Sequence, residues 1–393
     1  MRIAYVTETW PPELNGVSLT VERTVAFLRA RGHDVMLVRP RQRSLDASQQ
    51  ARAGDTLRVQ GVPIPLYPDL RMGLPARRRL LRVWQAGRSG RPDLVHVATE
   101  GPLGWSAVQA ARQLGVPVTS DFRTRFDEYG RHYAWEGAVA LVRGYLRAFH
   151  NRTDRTFVPT RELQRQLGEL GFERLTVSTR GVDASQFAPR CRSGPLRAQW
   201  GATDNAPVVL TVGRLAAEKN LDVALTAFAA IRQRVPGARL VMVGEGPQRS
   251  VLRRRCPDAV FAGIQHGEPL AAHYASADLF LFPSLTETFG NVVVEAMASG
   301  LPVVAFDTAA AGMHVCTGES GWLVPVGDAT AFTRATVQLA TDAALRRRLG
   351  HAAWLTAQHL DWPRVLEQFE AALTVVHHAA VTGEACHGDP RLA

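Results

Sequence analysis

Lysine is almost missing from this chain. The 46 lysines and arginines among 393 residues include one lysine, Lys219. Cysteine is scarce as well: Cys191, Cys256, Cys316 and Cys386 stand far apart, without metal-site or disulfide spacing. That excludes a disulfide-stapled scaffold and fits a reducing cytoplasm. No apolar run reaches the ~20 residues that cross a bilayer as a helix. No Asp-x-Asp pair and no cluster of metal ligands occurs, so no metal and no cofactor are expected. Met1 to Val6 runs straight into an apparent strand, so no signal peptide is expected.

What is abundant is arginine, and its placement is uneven. Residues 1–180 hold 28 arginines against 17 acidic residues, a balance of +11, while the remainder holds 18 cations against 19 acids, a balance of −1. A basic first half suits an anionic partner such as lipid headgroups, or reflects an arginine-rich composition with no partner. Nucleic acid is not expected, because no aromatic-basic platform or helix-turn-helix is visible. Within that half, Arg77-Arg78-Arg79-Leu80-Leu81-Arg82-Val83-Trp84 reads as a basic amphipathic helix. Such a helix either lies on an anionic membrane or packs its apolar face on its own sheet.

Short apolar runs at Ile3–Val6, Val35–Val38, Leu94–Val97, Val116–Ser120 and Thr156–Val158 alternate with helical patterns such as Ser18–Ala30 and Leu103–Leu114. Turn-rich stretches around Arg190–Pro195 and Gly201–Pro207 then bracket an expected linker region. The alternation restarts with Val208–Val212, Leu240–Val243, Val260–Phe261, Leu279–Phe282 and Val303–Phe306. Alternation of this kind predicts parallel strands with crossover helices. The fold class is therefore α/β, with two doubly wound, Rossmann-like domains facing across a cleft. The expected division is residues 1–188, then 189–361, with a helix over residues 362–379 crossing back to the first domain and a flexible tail at 380–393.

Three junctions in the second half lie at the carboxyl ends of expected strands, where open parallel sheets bind ligands. The first is Gly213-Arg214 followed by Glu218-Lys219. The second is Gly244-Glu245-Gly246-Pro247. The third runs from Pro283 and Ser284 through Glu287-Thr288-Phe289-Gly290-Asn291 into a helix carrying Glu295. Gly213 and Gly244 let a backbone approach a ligand without a Cβ in the way. Arg214 and Lys219 suit a diphosphate, and Lys219 offers a compact charge that arginine cannot imitate. A helix starting near Gly290 or Asn291 presents unpaired N–H groups to an anion. Glu287 and Glu295 can accept hydrogen bonds from sugar and ribose hydroxyls. Singly, each has a bland reading as a surface charge, a turn or a helical glutamate; in this order they describe a nucleotide-sugar site.

These runs, continued by Glu295-Ala296-Met297-Ala298-Ser299-Gly300-Leu301-Pro302, by Pro11-Pro12 with Asn15-Gly16-Val17, and by Gly181-Val182-Asp183 with Phe187 and Pro189, resemble glycosyltransferase family 4. The resemblance implies the GT-B fold and transfer with retained anomeric configuration. It is nearest to members that move mannose or a related hexose from a GDP- or UDP-sugar to a lipid or glycan hydroxyl. It implies that Arg214 and Lys219 neutralise the donor diphosphate, that Glu295 binds the ribose, and that Glu287 faces the hexose. The backbone of Thr288, Phe289, Gly290 and Asn291 would lie beside sugar and phosphates, with Gly213, Gly244 and Gly16 leaving room for the diphosphate. It further implies a cytoplasmic enzyme that can associate with a membrane.

One departure stands out. Where many family members carry a histidine on the acceptor side, the stretch Ser120-Asp121-Phe122-Arg123-Thr124 places Arg123. Arg123 can steady an anionic group, and Asp121 is a candidate for proton handling or an ordinary strand-end carboxylate. The missing histidine also leaves a non-catalytic nucleotide-sugar binding protein as an alternative, beside a same-fold enzyme acting on a soluble sugar.

Overall fold

The computed structural model describes residues 1–11, 16–41, 56–64, 67–86, 90–123, 136–203 and 206–383. The chain forms two compact units: Met1–Thr179 with Leu366–Ala393, and Arg180–Val365.

The first unit is built on a seven-stranded sheet. Its strands are β1 (Arg2–Val6), β2 (Asp34–Pro40), β3 (Thr56–Val59), β6 (Leu94–Val97), β7 (Val118–Asp121), β8 (Arg155–Val158) and β9 (Leu175–Val177), in the order β3-β2-β1-β6-β7-β8-β9. Every adjacent pair is parallel. Strands β4 (Gly61–Ile64) and β5 (Tyr67–Gly73) form a separate antiparallel pair. Leu94, Val95, His96 and Val97 are fully buried; strands covered on both faces read as near-continuous apolar runs. The last helix, Trp362–Thr382, sets Phe369, Ala372, Leu373 and Val376 against Ile3, Tyr5, Leu94 and Phe157.

The second unit has a six-stranded, all-parallel sheet in the order β12-β11-β10-β13-β14-β15. These are β10 (Val208–Val212), β11 (Arg239–Val243), β12 (Val260–Gly263), β13 (Leu279–Phe282), β14 (Val303–Phe306) and β15 (Gly321–Val324). In both sheets the strand order reverses direction beside the first strand. That leaves a crevice at the carboxyl ends of β1 and β6 in one, and of β10 and β13 in the other.

Three sequence expectations need correction. The turn-rich region is not a linker: residues Gly194–Gln199 form a helix, and Phe187 and Trp200 are buried in the core of the second unit. The division between units falls at Thr179/Arg180, because Val182 bridges to Asp361 and belongs to that same core. The last helix continues to Thr382, past the expected start of the tail; residues 384–393, with Cys386, lie outside the described residues.

The basic helix Arg77–Ala86 exposes Arg77, Arg78, Arg79 and Arg82, while Leu80 and Trp84 are fully buried. Its apolar face packs on its own sheet, so Trp84 cannot anchor the helix in a membrane. No described helix is long and apolar enough to cross a membrane.

Candidate active site

In the second unit, the loops after β10 and β11 lie backbone against backbone. Gly213 N–H donates to Val243 O (3.0 Å), and Leu215 N–H donates to Glu245 O (2.9 Å). Gly244 has φ 132°, and a Cβ on it would fall 2.0 Å from Gly213 O. Only glycine fits there. The loop after β10, at Gly213, Arg214 and Leu215, lines one concavity with Thr211, Lys219, Pro283 and Ser284.

Lys219 ends a short 3₁₀ turn, Ala217–Lys219, and Asn220 takes a left-handed φ of 50° before the helix Leu221–Arg234 begins. That reversal turns the ammonium toward the loop after β13. Lys219 Nζ bonds Glu287 Oε1, and Ser284 Oγ donates to the same oxygen at 3.0 Å. The side chains of Lys219 and Glu287 are mostly buried, 21% and 12% exposed. The only lysine of the chain and the expected hexose-facing carboxylate thus form one ion pair. Arg214 is also paired: its guanidinium meets Glu218 Oε1 at 2.9 Å. Both cations are therefore fixed in direction by a carboxylate, a feature the sequence reading lacks, although the four-residue spacing of Arg214 and Glu218 signals it.

Gly290, at φ 90°, caps the helix Asn291–Ala298 without a side-chain hydrogen bond to the helix start. That end keeps N–H groups available, and a Cβ on Gly290 would press on the Phe282 ring at 3.2 Å. Asn291 Oδ1 is buried there with no hydrogen-bond partner. Phe289 is buried (1% exposed), so beside a ligand it contributes backbone and not its ring; its carbonyl accepts Ala310 N–H at 2.8 Å. Arg180, which sequence reasoning misses, stands over the Phe289 ring at 5.9 Å. Thr288 is half-buried beside it. Glu295 accepts from Tyr274 Oη–H at 2.8 Å. Burial, and then the Glu295 charge, push the Tyr274 hydroxyl well above its ordinary range, so it remains a donor that orients Glu295. Gly213, Arg214, Lys219, Gly244, Glu287 and Gly290 are thus brought to one end of this sheet; Glu295 sits on the helix leaving it.

In the first unit, Gly16 opens the helix Gly16–Ala30, while Pro12 and Asn15 of its motif lie outside the described residues. Asp121 ends β7 and is buried. Arg123 Nε donates to Asp121 Oδ2 (2.7 Å), and His96 Nε2 stands 3.1 Å from the same oxygen. His96 Nδ1 is 2.9 Å from Thr119 Oγ1. Burial pushes the Asp121 carboxyl up, but Arg123 and His96 outweigh it and bring it down to about 2. Asp121 is therefore ionised at neutral pH and poorly suited to accepting a proton. Arg123, 11% exposed, carries its charge against that carboxylate. The remainder of that motif, from Thr124 to Tyr129, lies outside the described residues.

Two doubly wound sheets, each with a polar crevice at its carboxyl edge, define the class of nucleotide-binding GT-B proteins. The comparisons make the family specific. A family model described as Glycosyltransferase Family 4 matches residues 14–186, and one described as Glycosyl transferases group 1 matches residues 206–342. The chain is 35% identical, over 98% of its length and 97% of the relative's, to a GDP-mannose-dependent alpha-mannosyltransferase of Mycobacterium tuberculosis. It is 29% identical, over 82% of its length and 83% of the relative's, to that organism's GDP-mannose-dependent alpha-(1-6)-phosphatidylinositol dimannoside mannosyltransferase. Among solved structures, Anabaena Alr3699/HepE in complex with UDP matches with a TM-score of 0.74 at 18% identity, over 95% of this chain and all of that one. The chain belongs to glycosyltransferase family 4.

Proposed function

We propose that this protein transfers a hexose, mannose from GDP-mannose in the favoured reading, to a hydroxyl of a lipid or glycan acceptor, with retention of configuration. The observation that carries the reading is the Lys219–Glu287 ion pair beside the uncapped helix start at Gly290. It joins a cation for phosphate and a carboxylate for sugar at one point.

As the bond from the anomeric carbon to the donor phosphate breaks, negative charge grows on the leaving diphosphate. Lys219, Arg214 and the N–H groups beyond Gly290 are fixed before that charge develops, which is what lowers a barrier electrostatically. Glu287, held by Lys219 and Ser284, takes hydroxyls of the hexose. Glu295, oriented by Tyr274, takes ribose hydroxyls. The acceptor oxygen bonds the anomeric carbon on the face the phosphate leaves, and its proton passes to the departing phosphate oxygen. In this reading the cations and the helix end perform the neutralisation that a divalent ion performs elsewhere. Exposed Arg77, Arg78, Arg79 and Arg82 supply peripheral attraction to an anionic membrane.

The test is to incubate the protein with labelled GDP-mannose, UDP-glucose and ADP-glucose and a lipid extract, and to analyse products by mass spectrometry. Incorporation of one hexose into lipid is expected, with GDP-mannose preferred. Binding of donor with no product from any acceptor would favour the non-catalytic alternative.

A further inference from the structure

Near its carboxyl end β10 carries a hydroxyl that the donor grip does not use. Val208 and Leu210 point into one core, with Val241 and Phe280, whereas Val209 points into another, with Leu215, Leu221 and Leu281. Side chains alternate along a strand, so Thr211 shares the face of Val209. It is 3% exposed there, and its Oγ1 is buried with no hydrogen-bond partner among the described residues. Leu215, Leu221 and Leu281 line the same concavity as Thr211, Lys219 and Ser284. Those walls leave about 10 Å³ for the centre of a small molecule, room for one water. On the same concavity, Lys219 Nζ bonds Glu287 Oε1, its one printed side-chain partner among the described residues.

We infer that Thr211 is a positioning residue for Lys219, acting through one ordered water in this concavity. The inference deepens, and rests on, the glycosyl-transfer reading, in which Lys219 meets the leaving diphosphate. An ammonium carries three N–H donors. Glu287 takes one. A water bonded to Thr211 Oγ1 takes the second, and the third is then directed at a donor phosphate oxygen. Two fixed partners stop the ammonium from turning on its flexible stem, so no reorganisation is needed as charge develops on the phosphate. A bridging water serves nearly as well as a direct hydrogen bond. It also gives the Thr211 hydroxyl the partner it requires among leucines, because an unpaired buried hydroxyl is costly. The planar fork of an arginine would displace that water, so the same contact accounts for a lysine at this position in an arginine-rich chain.

The chain has one lysine, so the full protein grown on ¹³Cε,¹⁵Nζ-lysine gives one lysine side-chain NMR signal that needs no assignment. Thr211→Val removes the hydroxyl at nearly constant volume, and Thr211→Ser keeps it. With GDP bound, Thr211→Val is expected to shift the Lys219 signal, and Thr211→Ser to return it toward the wild-type position. The wild type should also show a nuclear Overhauser effect from a long-lived water to the Thr211 methyl group. In single-turnover transfer from GDP-mannose, Thr211→Val should slow the chemical step about tenfold with donor KM changed less than about threefold. Thr211→Ser should stay within about threefold of the wild-type rate. Lost packing alone would lower the thermal transition and leave the lysine signal in place. That result, a Thr211→Ser variant as impaired as Thr211→Val, or no water contact at Thr211 each overturns the positioning role. The transferase reading fails separately. A lysine signal that answers to GDP and to Thr211→Val as expected, with no hexose transferred by the wild type, leaves the positioning standing and removes the transferase reading. Full-rate transfer by Thr211→Val removes the positioning alone.

Discussion

The two sheets carry different chemistry at corresponding ends, and neither end follows from the bulk charge of its half. The half with the arginine excess, residues 1–180 at +11, sets Glu8, Glu100 and the Asp121–Arg123 pair at the carboxyl end of its sheet. The half with a balance near zero sets the Arg214–Glu218 and Lys219–Glu287 pairs and an uncapped helix start there. Net charge describes a surface; a site is made by the few groups that the strand ends gather. A reading of the first half from its charge alone points to anions, whereas the Arg123 charge at its strand end is already met by Asp121.

The sharpest way to break this contrast is to remove the lone ammonium. Lys219→Ala should lower kcat by about 10²–10³-fold, the usual cost of one transition-state donor, and Lys219→Arg should recover little of it because a planar fork does not fit a single-point contact. Single-turnover kinetics with saturating donor measures this, and a loss under about tenfold would show that the cationic end is not where leaving-group charge is met. Next in size, Gly244→Ala should destabilise the second unit by about 3 kcal/mol, through its positive φ and the collision with Gly213 O. It is read as a shift in that unit's thermal transition; an unshifted transition would mean the stacked loops are loosely packed. Tyr274→Phe should raise the donor KM about five- to tenfold with kcat nearly kept, because Glu295 loses its orienting hydroxyl.

Acid should separate the two units by window. His314, in the second unit, is held by burial at about 4, below its ordinary 6.5. Its folded form binds fewer protons than the unfolded chain between those values, so that share of stability is complete above 6.5 and is lost as pH falls toward 4. Asp121, in the first unit, is held at about 2 against an ordinary 3.8, so its share is complete above about 4 and is lost only from there down to 2. Amide exchange across pH 7 to 3 should show the second unit weakening first, and simultaneous loss would contradict the assignment. The smallest expected effect is none at all: a chelator should leave turnover unchanged, and its abolition would give a metal the task assigned to Lys219 and Arg214.

Sequence revealed the parts of this fold that burial writes most plainly. Leu279–Phe282 is covered on both faces and reads as an unbroken apolar run, and Val208–Val212 is broken only by Thr211. Strand β9 is half-buried and three residues long, and carries no such signal. Gly213, Gly244 and Gly290 were legible because each falls where backbone geometry forbids a side chain. The partners Tyr274 and His96 were harder to find. Tyr274 acts on Glu295 across 21 positions of sequence, and His96 reaches Asp121 across 25, so only the folded sheets bring them together. Arg190–Pro195 misled for the opposite reason: its turn residues cap and start a short helix, with Ser193 accepting from Leu196 N–H, and loop composition does not distinguish a cap from a tether.

The seating of Phe369, Leu373 and Val376 against Ile3 and Tyr5 has a consequence for biosynthesis. The first unit cannot complete its core until the ribosome has made all of Arg180–Val365 and then the closing helix. At 5–20 residues per second, the nascent chain waits roughly 10–40 s with that groove open. During that interval the newborn protein is most exposed to chaperones and proteases, and a premature stop before Phe369 would leave the groove uncovered for good.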